Sequence, residues 1–566
     1  MKIRYHSGAV CLGALLLFGG GAARAAGPTC ESLAGLSLAD ITITTAHSVP
    51  AGSFTAADGE VFAGMPAFCR IAAFAAPTTQ SHINFEVWMP QSGWNGKFRG
   101  EGSGGSAGSI SFSAMASALQ RGYATMANDN GHTGSVWTFS AMPEKVTDFG
   151  WRAQHVSTVA GKAITQAFYG RHPEHSYFVG CSQGGHHALM EAQRFPEDYD
   201  GIIAGDPAND WTHLMFGELW AGVQTSVKGA SFDLPQAKLN LVTSAVLAAC
   251  LGQDGGLKSD TWLNDPRDCH FDPRVLACTG ADAPNCLTPG QLSGIQALYQ
   301  GPVNPRTHRQ IFPGFARGTE TFYRQVLVGL TIPGGSSASF FRDGVFAGQP
   351  GFNFLNINFD SDVAYTDNKP ISSGETWATA LDANDVTLAG FRRRGNKLIM
   401  YHGFADPFIT PYNSLDYYSA VANSNGDEEG DDDGGLARTR RFARLFMVPG
   451  MNHCAGGPGA NSFGGVGQGG ASSIPQDAQH DVVRALEQWV EHGVAPERIV
   501  ATKFVNDQPA SGVAFTRPLC AYPEIAVYKG TGSTTDAASF ACVRDERDSN
   551  GPQLDDYRTP RSHRDD

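Results

Sequence analysis

The stretch Tyr177-Phe178-Val179-Gly180-Cys181-Ser182-Gln183-Gly184-Gly185, continued by His187 to Phe195, decides the fold. An apolar strand runs into a tight glycine turn, and a helix-like run follows it. This is G-x-S-x-G in the strand, turn and helix context that the motif demands. Glycines flank the serine because such an elbow is strained and crowded. Ser182 then stands at a helix N-terminus, where the positive end of the helix dipole favours an alkoxide. A lone G-x-S-x-G arises often by chance; the flanking elements give this one its weight.

Working outward, strand-like runs occur at Ile83–Met89, Tyr123–Ala127, Ile202–Ala204, Leu398–Tyr401 and Leu445–Val448. Several are continuously apolar, as parallel strands buried on both faces should be. Helical periodicity lies between them: Val156, Val159, Ala160, Ala163, Ile164 and Ala167 share one face, and Val482, Leu486, Trp489 and Val490 another. This alternation predicts a doubly wound α/β sheet. It fails between about Asp210 and Asp385, a stretch too long for a loop, which predicts an inserted domain. The expected division is a catalytic domain over 26–209 and 386–543, a lid over 210–385, and a disordered, charged tail over 544–566. Asp427 to Asp433 reads as a solvated acidic loop.

A serine hydroxyl needs a base, and the base needs a carboxylate to orient it. In the α/β-hydrolase fold these follow in the order Ser, acid, His, on turns after later strands. Asp406 lies on the turn after Leu398–Tyr401, and His453 on the turn after Leu445–Val448. Asp206 is the rival acid, but it comes only one strand after Ser182, beside Pro207. His186 and His187 sit too close to the serine to serve as its base. Two N–H donors must hold the oxyanion. The expected pair is Gln183, next after the serine, and Gly104 in the loop Gly102-Ser103-Gly104-Gly105. That loop lacks the G-K-[ST] and G-x-G-x-x-G patterns of a phosphate cradle.

Composition narrows the class. The 566 residues carry a net charge of −14 and 42% hydrophobic residues, which is globular and argues against nucleic acid as a partner. Residues 1–25 read as a signal peptide: Lys2 and Arg4, an apolar run from Val10 to Phe18, then Ala23-Arg24-Ala25. No later stretch is long and apolar enough to suggest a membrane span. The expected location is the periplasm or the medium. Export leaves ten cysteines in an oxidising compartment, an even number that suggests five disulfides. No C-x-x-C pair points to zinc. Cys181 and Cys454 adjoin Ser182 and His453, so a working triad would bring them within pairing reach.

These residues resemble the tannase and feruloyl esterase family, which includes mono(hydroxyethyl) terephthalate hydrolases. The resemblance rests on GCSQGGHHALMEAQRFPEDYDGIIAGDPA (180–208), YHGFADPFITPYNSLDYY (401–418) and VPGMNHCAGGPG (448–459), with WNGKF (94–98) and RPLCAYPEIAVYKG (517–530). It implies an α/β-hydrolase with a large lid, a Ser182–His453–Asp406 triad and a Cys181–Cys454 disulfide. It further implies the pairs Cys30–Cys69, Cys250–Cys269, Cys278–Cys286 and Cys520–Cys542. The resemblance also implies a structural calcium site after the cysteine matching Cys250. Here Leu251 replaces the first aspartate and two extra residues precede Cys269, so Asp254 and Asp260 are the expected remaining ligands.

The expected function is hydrolysis of a small aromatic ester, of the feruloyl, galloyl or terephthalate half-ester type, without a catalytic cofactor. Phe340, Phe341 and Arg342 in the lid are the expected substrate contacts, the rings for stacking and the guanidinium for a carboxylate. Two other classes stay open: a peptidase of the same fold, and a non-catalytic protein binding calcium or carbohydrate.

Overall fold

The computed structural model describes residues 28–134, 137–330, 335–371, 374–426, 432–468 and 473–545. The signal-peptide reading, nearly all of the tail and most of the acidic loop therefore fall outside the described residues.

Nine strands form one sheet: β1 (Ile41–Val49), β2 (Phe68–Ala75), β3 (Ile83–Pro90), β4 (Lys97–Glu101), β5 (Ala124–Asn128), β6 (His175–Cys181), β7 (Gly201–Gly205), β8 (Lys397–Gly403) and β9 (Ala443–Val448). Their spatial order is β1-β2-β3-β5-β4-β6-β7-β8-β9. The pairs from β5 through β4, β6, β7, β8 to β9 are parallel, and β1, β2 and β3 add an antiparallel edge.

The parallel strands are apolar on both faces because both faces are covered. Phe178, Ile202, Ala204, Leu398, Met400, Leu445 and Met447 pack in one core with helices Ala153–Tyr169, Gln183–Arg194 and Pro411–Ser424. Their alternates, Tyr177, Val179, Ile203, Ile399, Tyr401, Phe446 and Val448, pack in a second core with helix Val482–His492. The sheet is thus doubly wound, as expected.

Among the described residues, 206–396 contribute no strand to this sheet. That segment builds its own cores, one around Leu239, Val242, Val246, Ile295 and Tyr323. The other joins Trp211, Phe216, Phe340 and Trp377 to Trp137 and Phe149. All five disulfides implied by the resemblance are formed: Cys30–Cys69, Cys181–Cys454, Cys250–Cys269, Cys278–Cys286 and Cys520–Cys542. Among the described residues, no helix is long and apolar enough to cross a membrane.

Candidate active site

The C-terminal ends of β6, β7, β8 and β9 converge at one edge of the sheet. Ser182 leaves β6 in a left-handed conformation, φ 64° and ψ −122°, and helix Gln183–Arg194 begins at the next residue. A side chain at Gly180 would put Cβ 2.1 Å from the Gly184 carbonyl oxygen, so the elbow closes only around glycine. The Ser182 N–H donates to Gly205 O at 2.9 Å, which seats the turn on β7.

His453 and Asp406 meet as the strand-end positions suggest. His453 Nδ1 lies 2.6 Å from Asp406 Oδ2. The other oxygen, Oδ1, accepts from the N–H groups of Phe408 at 2.8 Å and Ile409 at 3.0 Å. His402 on β8 adds its Nε2 at 3.3 Å from Oδ2. Burial alone would push the Asp406 pKa up, but His453, His402 and these bonds outweigh it and hold the carboxyl well below its usual range. For His453, burial acts downward; Asp406, then Asp206 and Glu218, outweigh it and raise the imidazole to about 9. The charged pair is therefore the favoured form, as an acid that stabilises an imidazolium requires.

Asp206 does something else. Its Oδ1 accepts from the Gly403 N–H and its Oδ2 from the Cys454 N–H, both at 2.7 Å. It is fully buried, and burial leads the causes that raise it to about 6. The rival acid is thus a strut that ties the ends of β7 and β8 to the histidine loop. The Cys181–Cys454 disulfide, with Cα atoms 6.0 Å apart, joins the residue before Ser182 to the residue after His453. It holds elbow and histidine loop together across 273 residues of sequence.

The two expected oxyanion residues lie on the elbow and on the glycine loop beside it. Gln183 is the first residue of its helix, so its N–H has no intrahelical acceptor. Its side chain is buried and accepts from Ser103 Oγ at 2.9 Å, fixing the elbow to the Gly102–Gly105 loop. Gly184 N–H reinforces this by donating to Ser103 O at 2.8 Å. Gly104 is exposed, with open space where a Cβ would stand. His186 and His187 are buried and turned away: their Nε2 atoms meet Leu381 O at 2.7 Å and Phe149 O at 3.1 Å.

The three expected substrate contacts in the inserted segment are placed as follows. Phe340 and Phe341 are wholly buried; Phe340 packs edge-on against Trp137 (4.9 Å) and Trp377 (5.4 Å), and Phe341 against Phe216. They pack inside the core that joins Trp211, Phe216 and Trp377 to Trp137. The Arg342 guanidinium is committed to its neighbour Asp343, with Nε 2.7 Å from Oδ1.

The residues present do not fit calcium. The Asp254 carboxylate is taken by the backbone N–H groups of Gly256, Asn264 and Asp265. Asp260 pairs instead with Arg517, Nη2 to Oδ1 3.1 Å, and that guanidinium lies over the Phe515 and Phe540 rings. Among the described residues, neither aspartate joins two other metal-binding side chains. The Arg517 guanidinium, from the C-terminal strands, thus balances Asp260 where a calcium ion would have to.

Sequence reading missed three groups around His453. Asp206 was legible only as a competitor and His402 only as the start of the turn after Leu398–Tyr401, and Glu218 was not singled out. Phe408, whose ring centre lies 5.3 Å from that of His453, also went unread.

Comparison with known proteins identifies the family. A family model described as tannase and feruloyl esterase matches residues 69–543. The chain is 43% identical over 542 residues to an uncharacterized esterase of Xanthomonas campestris pv. campestris, covering 92% of each chain. It is 32% identical to the mono(2-hydroxyethyl) terephthalate hydrolase of Piscinibacter sakaiensis, over 85% of each chain. The crystal structure of feruloyl esterase B from Aspergillus oryzae aligns with a TM-score of 0.80 at 28% identity, covering 91% of this chain and 99% of that one. The chain therefore belongs to the tannase and feruloyl esterase family and is a carboxylic ester hydrolase with the α/β-hydrolase fold.

Proposed function

We propose that the protein is an exported serine esterase that hydrolyses esters of aromatic acids through an acyl-enzyme on Ser182. The observation that carries this reading is the 2.6 Å His453–Asp406 contact, on a loop bridged by Cys454 to the elbow that bears Ser182. His453 takes the Ser182 proton as the oxygen attacks the ester carbonyl. The N–H groups of Gln183 and Gly104 receive the developing oxyanion. The same histidine returns its proton to the leaving alcohol, and water then releases the acid by the reverse sequence. Asp406 fixes the tautomer and stabilises the imidazolium without taking a proton itself.

The names of the relatives, feruloyl esterase and terephthalate monoester hydrolase, suggest the acyl class: a hydroxycinnamate, gallate or terephthalate half-ester. The segment 210–385 serves as the lid over the catalytic domain. Five disulfides and the signal-like residues 1–25 support export to the periplasm or beyond. The test is turnover of methyl ferulate, methyl gallate and a terephthalate monoester beside a set of peptide amides. Hydrolysis of at least one aromatic ester with inert amides is expected. Efficient amide cleavage with inert esters would favour the peptidase reading.

A further inference from the structure

Glu191 stands on helix Gln183–Arg194, about 13 Å along its axis from Ser182 at 1.5 Å per residue. It is 1% exposed, and its Oε2 has no hydrogen-bond partner among the described residues. A second buried acid, Asp198, comes within hydrogen-bond reach of its carboxyl from the loop between that helix and β7. The third member is His155 on helix Ala153–Tyr169, with Nδ1 2.7 Å from Asp198 Oδ2. Phe195 stacks on this imidazole, ring centres 3.7 Å apart, and fixes its plane. The His155 side chain keeps 26% of its surface exposed, which gives the group a way in from solvent.

One ligand atom from each of these three side chains lies within 4.8 Å of the other two. Two carboxylates buried face to face repel each other and call for a cation between them. The Lys162 ammonium offsets part of that charge, but it donates to the Asp198 backbone carbonyl and leaves Glu191 Oε2 unanswered. Zinc bonds of 2.0–2.2 Å set tetrahedral ligand atoms about 3.4 Å apart, so side-chain adjustments of about 1 Å would seat an ion here. One imidazole and two carboxylates suit zinc, with water in the fourth place. The same set is too poor in oxygen for calcium, which takes 6–8.

We propose that His155, Glu191 and Asp198 bind one zinc ion, which clamps the helix behind Ser182 to helix Ala153–Tyr169 and to the loop before β7. The ion holds the nucleophile helix in place and takes no part in the ester chemistry.

The test is zinc binding by tag-free protein stripped of metal with a chelator, followed by calorimetry and by melting temperature with and without zinc. Wild type, His155→Gln, Glu191→Gln and His453→Ala are compared. Wild type should take up one zinc ion per chain and melt higher with it, since the ion binds the folded state. His155→Gln and Glu191→Gln should each weaken binding by about a hundredfold or more, because even a residue that merely orients a ligand is worth 10–100-fold. Both should also lose the rise in melting temperature. His453→Ala should bind zinc as wild type does, which separates this site from the catalytic histidine, and a large excess of calcium should not displace the ion. If Glu191→Gln fails to fold, the partly exposed His155 decides the matter. No saturable binding by wild type, equal affinity in the His155 variant, loss of binding in His453→Ala, or ready displacement by calcium would each overturn the proposal.

Discussion

Ser182→Ala is expected to lower kcat on aromatic esters by on the order of 10⁴–10⁶, while the melting temperature stays close to that of wild type. The loss is large because the nucleophile, the base and the acid act as a unit, so removing one idles the others. The fold should survive because Ser182 makes its seating contact through its backbone, N–H to Gly205 O, and alanine keeps that bond. Alanine must still adopt φ 64°, the strain that serine already bears. Steady-state kinetics and thermal unfolding on the same preparation check both halves. Activity within tenfold of wild type would remove Ser182 from its role.

Asp406→Asn is expected to cost on the order of 10⁴ in kcat, since an amide in that place supports the wrong imidazole tautomer. It should also move the pH profile. Asp406 is the strongest influence raising His453, to about 9, and only the neutral imidazole can accept the serine proton. In wild type, kcat/KM should therefore rise from neutral pH toward about 9 as His453 loses its proton. With the carboxylate gone the inflection should shift to lower pH, on a much reduced plateau. Asp206→Asn should retain far more activity, because Asp206 meets backbone N–H groups and makes no hydrogen bond to His453. The reverse order of the two variants would mean that Asp206 is the acid and Asp406 the strut.

The legible parts of this molecule are those where burial leaves a local mark. Strands β6 to β9 are covered on both faces, so they read as unbroken apolar runs. Strand β1 escaped because it is half exposed: Ile41–Val49 alternates inward and outward with Thr, Ser and His among its residues. The elbow was legible because its crowding admits only glycine at Gly180. Asp406 and His453 followed from chain order and strand ends.

What stayed hidden depends on neighbours far away in sequence. That Asp206 struts the histidine loop follows from β7 lying beside β8, and 191 residues lie between Gly205 and Lys397, where that strand starts. A calcium site was expected from the family resemblance, with Asp254 and Asp260 as its remaining ligands, yet the cation that answers Asp260 is Arg517, 257 residues away. Phe340 and Phe341 looked like ligand contacts because aromatic residues in a lid have two uses, and local sequence does not separate core from surface. Glu218 did carry a signal, a single acid in an otherwise apolar helix, and the structure buries it there.

The central claim is that Ser182 is the nucleophile activated by His453. Its most direct test is to react the protein with a fluorophosphonate, digest it and locate the adduct by mass spectrometry. One adduct per chain is expected, on the peptide bearing Ser182, with labelling lost in Ser182→Ala and strongly slowed in His453→Ala. An adduct on another residue, or none while the protein is hydrolysing ester, would contradict the account.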